Sequence, residues 1–148
     1  MTCFTCEQER KLDELPLRER IHVEPRWRVS HAFNTKLPGW LILVPRRHVE
    51  RLDELTPEEA QRVGPLLADL TRALRSVTGC VKTYVALYAE AEGFAHVHFH
   101  VVPRMPDQDS ALRGPRIVAL LGVDDDDAVP AIERERLAAA IAAQLRTA

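Results

Sequence analysis

The feature that most constrains this 148-residue chain is an alternation of histidine with apolar residues from His96 to Val101. In an extended strand, successive side chains point to opposite faces. His96, His98 and His100 therefore share one face, and the apolar residues between them share the other. Half of the six histidines lie within these five positions. The pattern predicts a half-buried strand whose apolar face packs on a core and whose histidine face is free for chemistry.

Three histidines on one strand face leave two chemical alternatives and one structural one. Alternate residues lie roughly 6.6 Å apart along a strand, so a His-x-His pair can converge on one metal ion. A neutral imidazole can instead attack phosphorus or an acyl carbon, with its neighbours setting the tautomer. The third alternative is a strand whose histidines only complete hydrogen bonds, and three histidines in register argue against it.

Composition and charge exclude several classes of protein. Hydrophobic residues make up 46% of the chain, charged residues 28%, and the net charge is −2, which is typical of a globular domain. We expect one domain over residues 1–148 and no nucleic-acid partner. No apolar run approaches the roughly 20 residues that cross a membrane, and the N-terminus lacks a signal-peptide pattern. The expected location is the cytoplasm, without a membrane partner.

A Cys-x-x-Cys sequence, Cys3 to Cys6, lies within the N-terminal segment 1–20. This spacing is typical of a zinc half-site or a redox pair. No strand can precede it, which argues against a thioredoxin-like motif. Cys80 stands alone, so histidines would have to complete a zinc site. The spacing leaves a zinc half-site and a reducible thiol pair as alternatives.

Helices are predicted at two places. Thr56 and Glu59 form a capping box, and Gly79 marks the helix end. Pro65 should kink this helix, because proline lacks the backbone donor. A second, alanine-rich amphipathic helix is predicted over 130–146 and should pack on the sheet or on a second subunit.

Strands are predicted at 21–24, 27–33, 40–44 and 81–88, in addition to the histidine stretch. Residues 117–123 form either a short strand or a buried segment, and His22 and His31 are interpreted as structural. Short turns join the strands in place of repeated crossover helices. We therefore expect an α+β fold with an antiparallel sheet of about five strands flanked by helices.

The stretch from His96 to Val102 resembles the signature of the histidine triad (HIT) family, and 34–48 is similar to the family's second motif. The resemblance implies the same fold, a homodimer and a nucleotide substrate, with adenine the expected base. It implies two-step nucleotidyl transfer, in which His98 attacks the α-phosphorus and water hydrolyses the nucleotidyl-histidine. His100 would orient His98 or contact phosphate, and His96 would orient the ring or bind zinc.

The resemblance also implies binding residues. Asn34 would hold the ribose hydroxyls. The family's usual phosphate-binding side chains are missing before His96, so we expect a backbone amide near Gly93 or the Arg104 side chain to replace them. Some bacterial family members bind a structural zinc ion through two cysteines and two histidines, and this chain has a similar set of residues. The resemblance implies no catalytic metal and no organic cofactor. The four implied zinc ligands are Cys3, Cys6, His48 and His96.

Two departures from the family pattern keep other functions open. Trp40 stands where the family usually has a histidine, and the loop before His96 is short and lacks the usual hydroxyl and amide side chains. Both features favour a nucleotide-binding sensor or interaction module with little catalysis as the alternative. A metal-dependent hydrolase that uses His96 and His98 as ligands is a further alternative.

Overall fold

The structure is a computed structural model that describes residues 2–146. This part of the chain contains α-helices and β-strands joined by short loops and 3₁₀ helices. The helices are α1 (Phe4–Arg10), α2 (Pro57–Thr78) and α3 (Ala131–Arg146). The strands are β1 (His22–Val23), β2 (Trp27–His31), β3 (Leu41–Pro45), β4 (Lys82–Leu87) and β5 (Phe99–Arg104).

The five strands form one antiparallel sheet in the order β1-β2-β3-β5-β4. This confirms the α+β fold with an antiparallel sheet of about five strands. Ile42 of β3 is paired with Ser30 on one side and with His100 on the other. The histidine strand is thus an inner strand of the sheet, and β4 forms an edge.

The alternation of the histidine stretch is confirmed, although its strand is shorter than the pattern suggests. β5 begins at Phe99, so only His100 of the three histidines lies within it. Val97 lies just before β5, and its backbone N–H donates to the carbonyl of Val49. Val97, Phe99 and Val101 all belong to the main core, as the period of two requires.

The main core lies between one face of the sheet and helices α2 and α3. Leu43 of β3 and Leu70 of α2 are fully buried there, as is Ile141 of α3. α3 therefore packs within its own chain. A smaller cluster on the opposite face contains Trp40 and Ile117. The helices cover one face of the sheet, which leaves the histidine face to form a cavity.

The capping signals of α2 are confirmed. The Thr56 hydroxyl accepts from the N–H of Glu59 at 3.2 Å, and the Glu59 carboxylate accepts from the N–H of Thr56 at 2.8 Å. Gly79 ends the helix in the left-handed region, with φ of 75°. The helix runs through Pro65 without interruption.

The segment 117–123 does not form a strand. A 3₁₀ helix spans Gly114–Leu120 and buries Ile117, so the strand alternative is wrong. The apolar run buries one side of a tight helical turn, a pattern that periodicity cannot distinguish from a short strand. No helix within residues 2–146 is both long enough and apolar enough to cross a membrane.

Candidate functional site

A cavity of about 500 Å³, called the main cavity below, opens on the sheet face opposite the helices. Its floor is formed by side chains from three adjacent segments, because β3 pairs with both β2 and β5. The floor side chains are Arg28, Ser30, Ile42, Val44, His98 and His100. Two of the three histidines that the alternation singled out therefore lie side by side in one cavity.

His98 is held with one ring nitrogen turned to the backbone. Its Nδ1 lies 2.7 Å from the carbonyl oxygen of His96. Because a carbonyl can only accept, Nδ1 carries the hydrogen and Nε2 of the neutral ring keeps its lone pair. Nε2 hydrogen-bonds to no residue between 2 and 146. The geometry therefore presents an unpartnered lone pair on a residue that lines the main cavity.

His100 has the opposite tautomer. The indole N–H of Trp40 donates to its Nδ1 at 3.0 Å in a buried contact, so the ring hydrogen must lie on Nε2. The His98 and His100 ring centroids are 4.9 Å apart. Burial, reinforced by the adjacent His98 ring, lowers the pKa of His100 to about 4. His100 is a neutral hydrogen-bond donor beside the His98 lone pair.

His31 also lines the main cavity, but both of its ring nitrogens are occupied. Nδ1 donates to the carbonyl of Ala32 at 2.8 Å, and Nε2 accepts from the N–H of Gly39 at 2.9 Å. Burial lowers the pKa of His31 to about 4. The ring fixes the turn that leads into β3, in keeping with its interpretation as structural. His22 is paired with Glu24 at 2.7 Å, outside the cavity.

An aromatic cluster that sequence reasoning missed forms one wall of the main cavity. Phe4, Phe33 and Phe94 have ring centroids between 5.1 and 6.3 Å apart. These residues come from α1, the loop after β2 and the turn before the histidines, so no local pattern connects them. Tyr88 also lines the main cavity, and its ring centroid lies 6.2 Å from that of His100.

The three predicted substrate-binding residues occupy different places. Asn34 lines the main cavity, and its side-chain amide hydrogen-bonds to no described residue. Gly93 does not line it, and its carbonyl accepts from the N–H of Phe4 at 3.0 Å. Arg104 ends β5, six residues beyond His98 and hence about 20 Å along the chain. The structure thus brings Asn34 to the histidines but leaves Arg104 outside the cavity.

The four predicted metal ligands converge on one point. The Sγ atoms of Cys3 and Cys6 and the Nδ1 atoms of His48 and His96 all lie within 4.8 Å of one another. The two Nδ1 atoms are 3.2 Å apart, and Cys3 Sγ lies 3.5 Å from His96 Nδ1. A tetrahedral zinc ion with ordinary bond lengths would place these pairs about 3.4 and 3.6 Å apart. The donor set fits a tetrahedral metal ion.

The surroundings of the cluster orient its donors. Nε2 of His96 lies 2.8 Å from the carbonyl oxygen of Pro45 and must donate to it, which leaves the Nδ1 lone pair for a metal. Burial lowers the pKa of His96. Burial, together with the neighbouring Cys3 thiol, raises the pKa of Cys6 to about 11. A cation would oppose that rise, since thiolate is the form that binds metal.

The metal cluster and the main cavity use different histidines. Nδ1 of His96 points to the cluster, whereas Nδ1 of His98 is bound to a carbonyl oxygen and the residue lines the main cavity. His96 and His98 therefore do not form one ion site. This geometry removes the basis for a metal-dependent hydrolase that uses both as ligands.

The chain is a small α+β protein in which one histidine-rich stretch contributes both to a cluster of possible metal ligands and to the main cavity. The HIT domain family model matches residues 19–107. The chain therefore belongs to the histidine triad (HIT) family.

Comparison with individual proteins agrees with this membership. The bis(5′-nucleosyl)-tetraphosphatase [asymmetrical] of Schizosaccharomyces pombe is 34% identical over 92 residues, which cover 53% of this chain and 47% of the relative. The matched segment thus spans about half the length of this curated relative.

Solved structures share the fold. A hypothetical histidine triad nucleotide-binding protein from Sulfolobus tokodaii superposes with a TM-score of 0.73 at 11% identity, covering 98% of this chain and 93% of the other. A zinc-bound histidine triad family protein from Mycobacterium smegmatis gives a TM-score of 0.68 at 23% identity, covering 99% and 97%. At these identities the similarity supports the fold.

Proposed function

We propose that the protein is a nucleotide hydrolase or nucleotidyl transferase that acts at the α-phosphorus of a nucleoside phosphate derivative. The observation that carries the proposal is the Nε2 lone pair of His98, which meets no hydrogen-bond partner among residues 2–146, on a residue that lines the main cavity. A neutral imidazole fixed in this tautomer is a competent nucleophile. The likeness to a bis(5′-nucleosyl)-tetraphosphatase supports a dinucleoside polyphosphate as the substrate.

The reaction proceeds in two steps, transfer of the nucleotidyl group to His98 and hydrolysis of the resulting intermediate. In the first step His98 Nε2 forms a bond to phosphorus, the bond to the leaving oxygen breaks, and its electron pair departs with that oxygen. The His96 carbonyl, which accepts from Nδ1, stabilises the positive charge that develops on the ring. His100 Nε2–H donates to an oxygen of the phosphoryl group. In the second step water attacks phosphorus, the bond between phosphorus and His98 breaks with its electron pair returning to Nε2, and the proton of the attacking water passes to solvent.

The main cavity suits a nucleotide. Its volume of about 500 Å³ is in the range of small-molecule sites. The wall of Phe4, Phe33 and Phe94 offers apolar aromatic surface to a purine base. We propose that this base is adenine. The free amide of Asn34 can both donate to and accept from a ribose diol.

We also propose that the cluster of Cys3, Cys6, His48 and His96 holds a structural zinc ion. The support is the match between the donor distances and a tetrahedral site, together with the orientation of His96 by Pro45. The ion would join α1 to the segments that carry His48 and His96. No chemical step is assigned to it.

A nucleotide-binding sensor is the second candidate, and one observation favours it. Among the described residues that line the main cavity, Arg28 is the only arginine or lysine, and its Nε donates to the carboxylate of Glu9 at 3.2 Å. Phosphoryl transfer needs positive or donating groups around the transferred phosphate. A cavity with this little free positive charge would bind a nucleotide with little turnover.

Trapping of the intermediate tests the two candidates against each other. Mixing the protein with diadenosine tetraphosphate, followed by rapid acid-free quenching and intact-mass spectrometry, should reveal a mass increase of one adenylyl group. AMP should accumulate in the same mixture as the intermediate is hydrolysed. Binding of AMP without either product would contradict the enzyme and leave the sensor.

The edge of the sheet is the surface that we propose for a homodimer. No strand in the described part of the chain pairs with the outer edge of β4, and apolar side chains are exposed on and beside it: Val81 at 51%, Val85 at 47% and Tyr88 at 56%. Exposed apolar edge strands tend to pair with another chain.

Light scattering should therefore give twice the mass of the chain for the wild-type protein, and Val85→Glu should give the monomer mass, because the carboxylate would be desolvated in the pair. Unchanged far-UV circular dichroism would show that the variant folds. A dimer that survives the substitution at micromolar concentration would place the interface elsewhere.

A further inference from the structure

The contact between Trp40 and His100 limits what His100 can do with a proton. An indole nitrogen can donate one hydrogen bond but cannot accept one. Its donation to Nδ1 at 3.0 Å means that the single nitrogen-bound hydrogen of the neutral His100 ring lies on Nε2. Both side chains are buried, so solvent does not compete for this hydrogen bond.

The same contact disfavours the charged form of His100. An imidazolium ring carries hydrogens on both nitrogens, so its Nδ1–H would face the indole N–H, donor against donor. The titratable rings beside His100 are His98 and Tyr88, and within residues 2–146 no carboxylate hydrogen-bonds to it. Burial acts in the same direction, because it penalises the cation.

Neutral His100 also cannot give up its remaining proton. Loss of the Nε2 hydrogen would leave an imidazolate anion in a buried site, and Trp40 has no acidic proton to supply to Nδ1. His100 can therefore stabilise an oxygen by hydrogen bonding, but it cannot act as a general acid. His98 cannot replace it, since its Nε2 attacks phosphorus and its Nδ1 hydrogen is bound to the carbonyl of His96.

We infer that Trp40 is a positioning residue that restricts the reaction to leaving groups which depart as anions. This inference rests on the proposed function. When a phosphoric anhydride is cleaved, the electron pair of the P–O bond remains on a phosphate oxygen, and that anion is stable without a proton. When a phosphoramidate is cleaved, the electron pair of the P–N bond remains on nitrogen, which must gain a proton as it leaves. The site accordingly selects anhydrides, such as dinucleoside polyphosphates, over phosphoramidates.

The test compares two substrates on three proteins: wild type, Trp40→His and Trp40→Phe. The probes are diadenosine tetraphosphate and adenosine 5′-phosphoramidate. General acid catalysis contributes roughly 10²–10⁴-fold, so wild-type kcat/KM should favour the anhydride by about 100-fold or more. Trp40→His, whose imidazole can both donate to Nδ1 and relay a proton, should raise phosphoramidate turnover by about tenfold or more. Trp40→Phe supplies no proton to Nδ1 and leaves His100 buried, so the anhydride should remain the better substrate.

The pH profile provides a readout that a purely structural role would not move. Phosphoramidate hydrolysis by Trp40→His should show an added ionisation near neutral pH, because the introduced imidazole can take up a proton and pass it through His100. Equal use of both substrates by the wild type, or an unchanged substrate ratio in Trp40→His, would overturn the inference and leave the proposed function intact. Turnover of neither substrate by the wild type would overturn the proposed function itself.

Nitrogen-15 NMR of the wild-type protein reports the tautomer and the protonation of His100 directly, so this test needs no variant. His100 should remain in the tautomer with hydrogen on Nε2, with no titration between pH 5 and pH 8. A midpoint within that range would show that His100 takes up a proton beside Trp40, and it would overturn the inference.

Discussion

Replacement of His98 with alanine is expected to lower kcat for nucleotide hydrolysis by roughly 10⁴-fold or more, because the covalent step loses its nucleophile. The substitution removes a side chain on the floor of the main cavity and leaves the aromatic wall and Asn34 in place. AMP binding should therefore change far less than turnover. Stopped assays of AMP release and equilibrium titration with AMP would measure the two effects separately.

The matched control for this substitution is His22→Ala. His22 is paired with Glu24 and lies outside the main cavity, so its replacement should leave kcat within about twofold of the wild type. The adenylyl adduct should disappear from His98→Ala and persist in His22→Ala. A His98→Ala protein that retains a tenth of wild-type turnover would show that another group attacks phosphorus.

Removal of the metal is expected to have the largest effect on stability. A ligand present at about 1,000 times its dissociation constant stabilises the fold by about 4 kcal/mol. For a chain of this size, such a loss lowers Tm by roughly 8–16 °C. Cys6→Ser, or treatment of the wild type with a chelator, should lower Tm by that amount. Mass spectrometry of the metal content should show one zinc ion per chain in the untreated wild type, and none in Cys6→Ser or after chelation.

Cys80→Ser serves as the thiol control, because Cys80 is buried in the main core away from the cluster. It should retain one equivalent of zinc even if packing lowers its Tm. Zinc retained by Cys6→Ser, with an unchanged Tm, would contradict the assignment of the cluster. The same measurements on wild type without added metal would show whether zinc is acquired during expression.

Short-range features of this chain could be predicted from the sequence. The alternation around His98 placed its apolar neighbours in the core because the period of a strand is a local property. The ends of α2 followed from Thr56 and Gly79, whose capping contacts involve residues within one turn. The cluster of metal ligands followed from resemblance to a family, since Cys3 and Cys6 alone left two alternatives open.

Contacts set by the pairing of distant strands could not be predicted. Trp40 reaches His100 because it precedes Leu41, which pairs with Val101, and nothing local to either residue reveals that register. The chemistry of the indole alone excludes Trp40 from proton transfer, but the identity of its hydrogen-bond partner could be known only from the fold. Arg104 was predicted as a substitute phosphate contact, but it does not line the main cavity, and its distance from the cavity depends on the course of β5.

The four residues from Cys3 to Cys6 have a consequence for how the two sites behave together. The outer pair provides thiols to the metal cluster, while Phe4 and Thr5 between them line the main cavity. The first turn of α1 therefore lies between the two sites, with possible metal ligands on one side and cavity-lining residues on the other. By thermodynamic reciprocity, any effect of metal binding at the cluster on ligand affinity in the cavity is matched by an equal effect of the ligand on metal affinity.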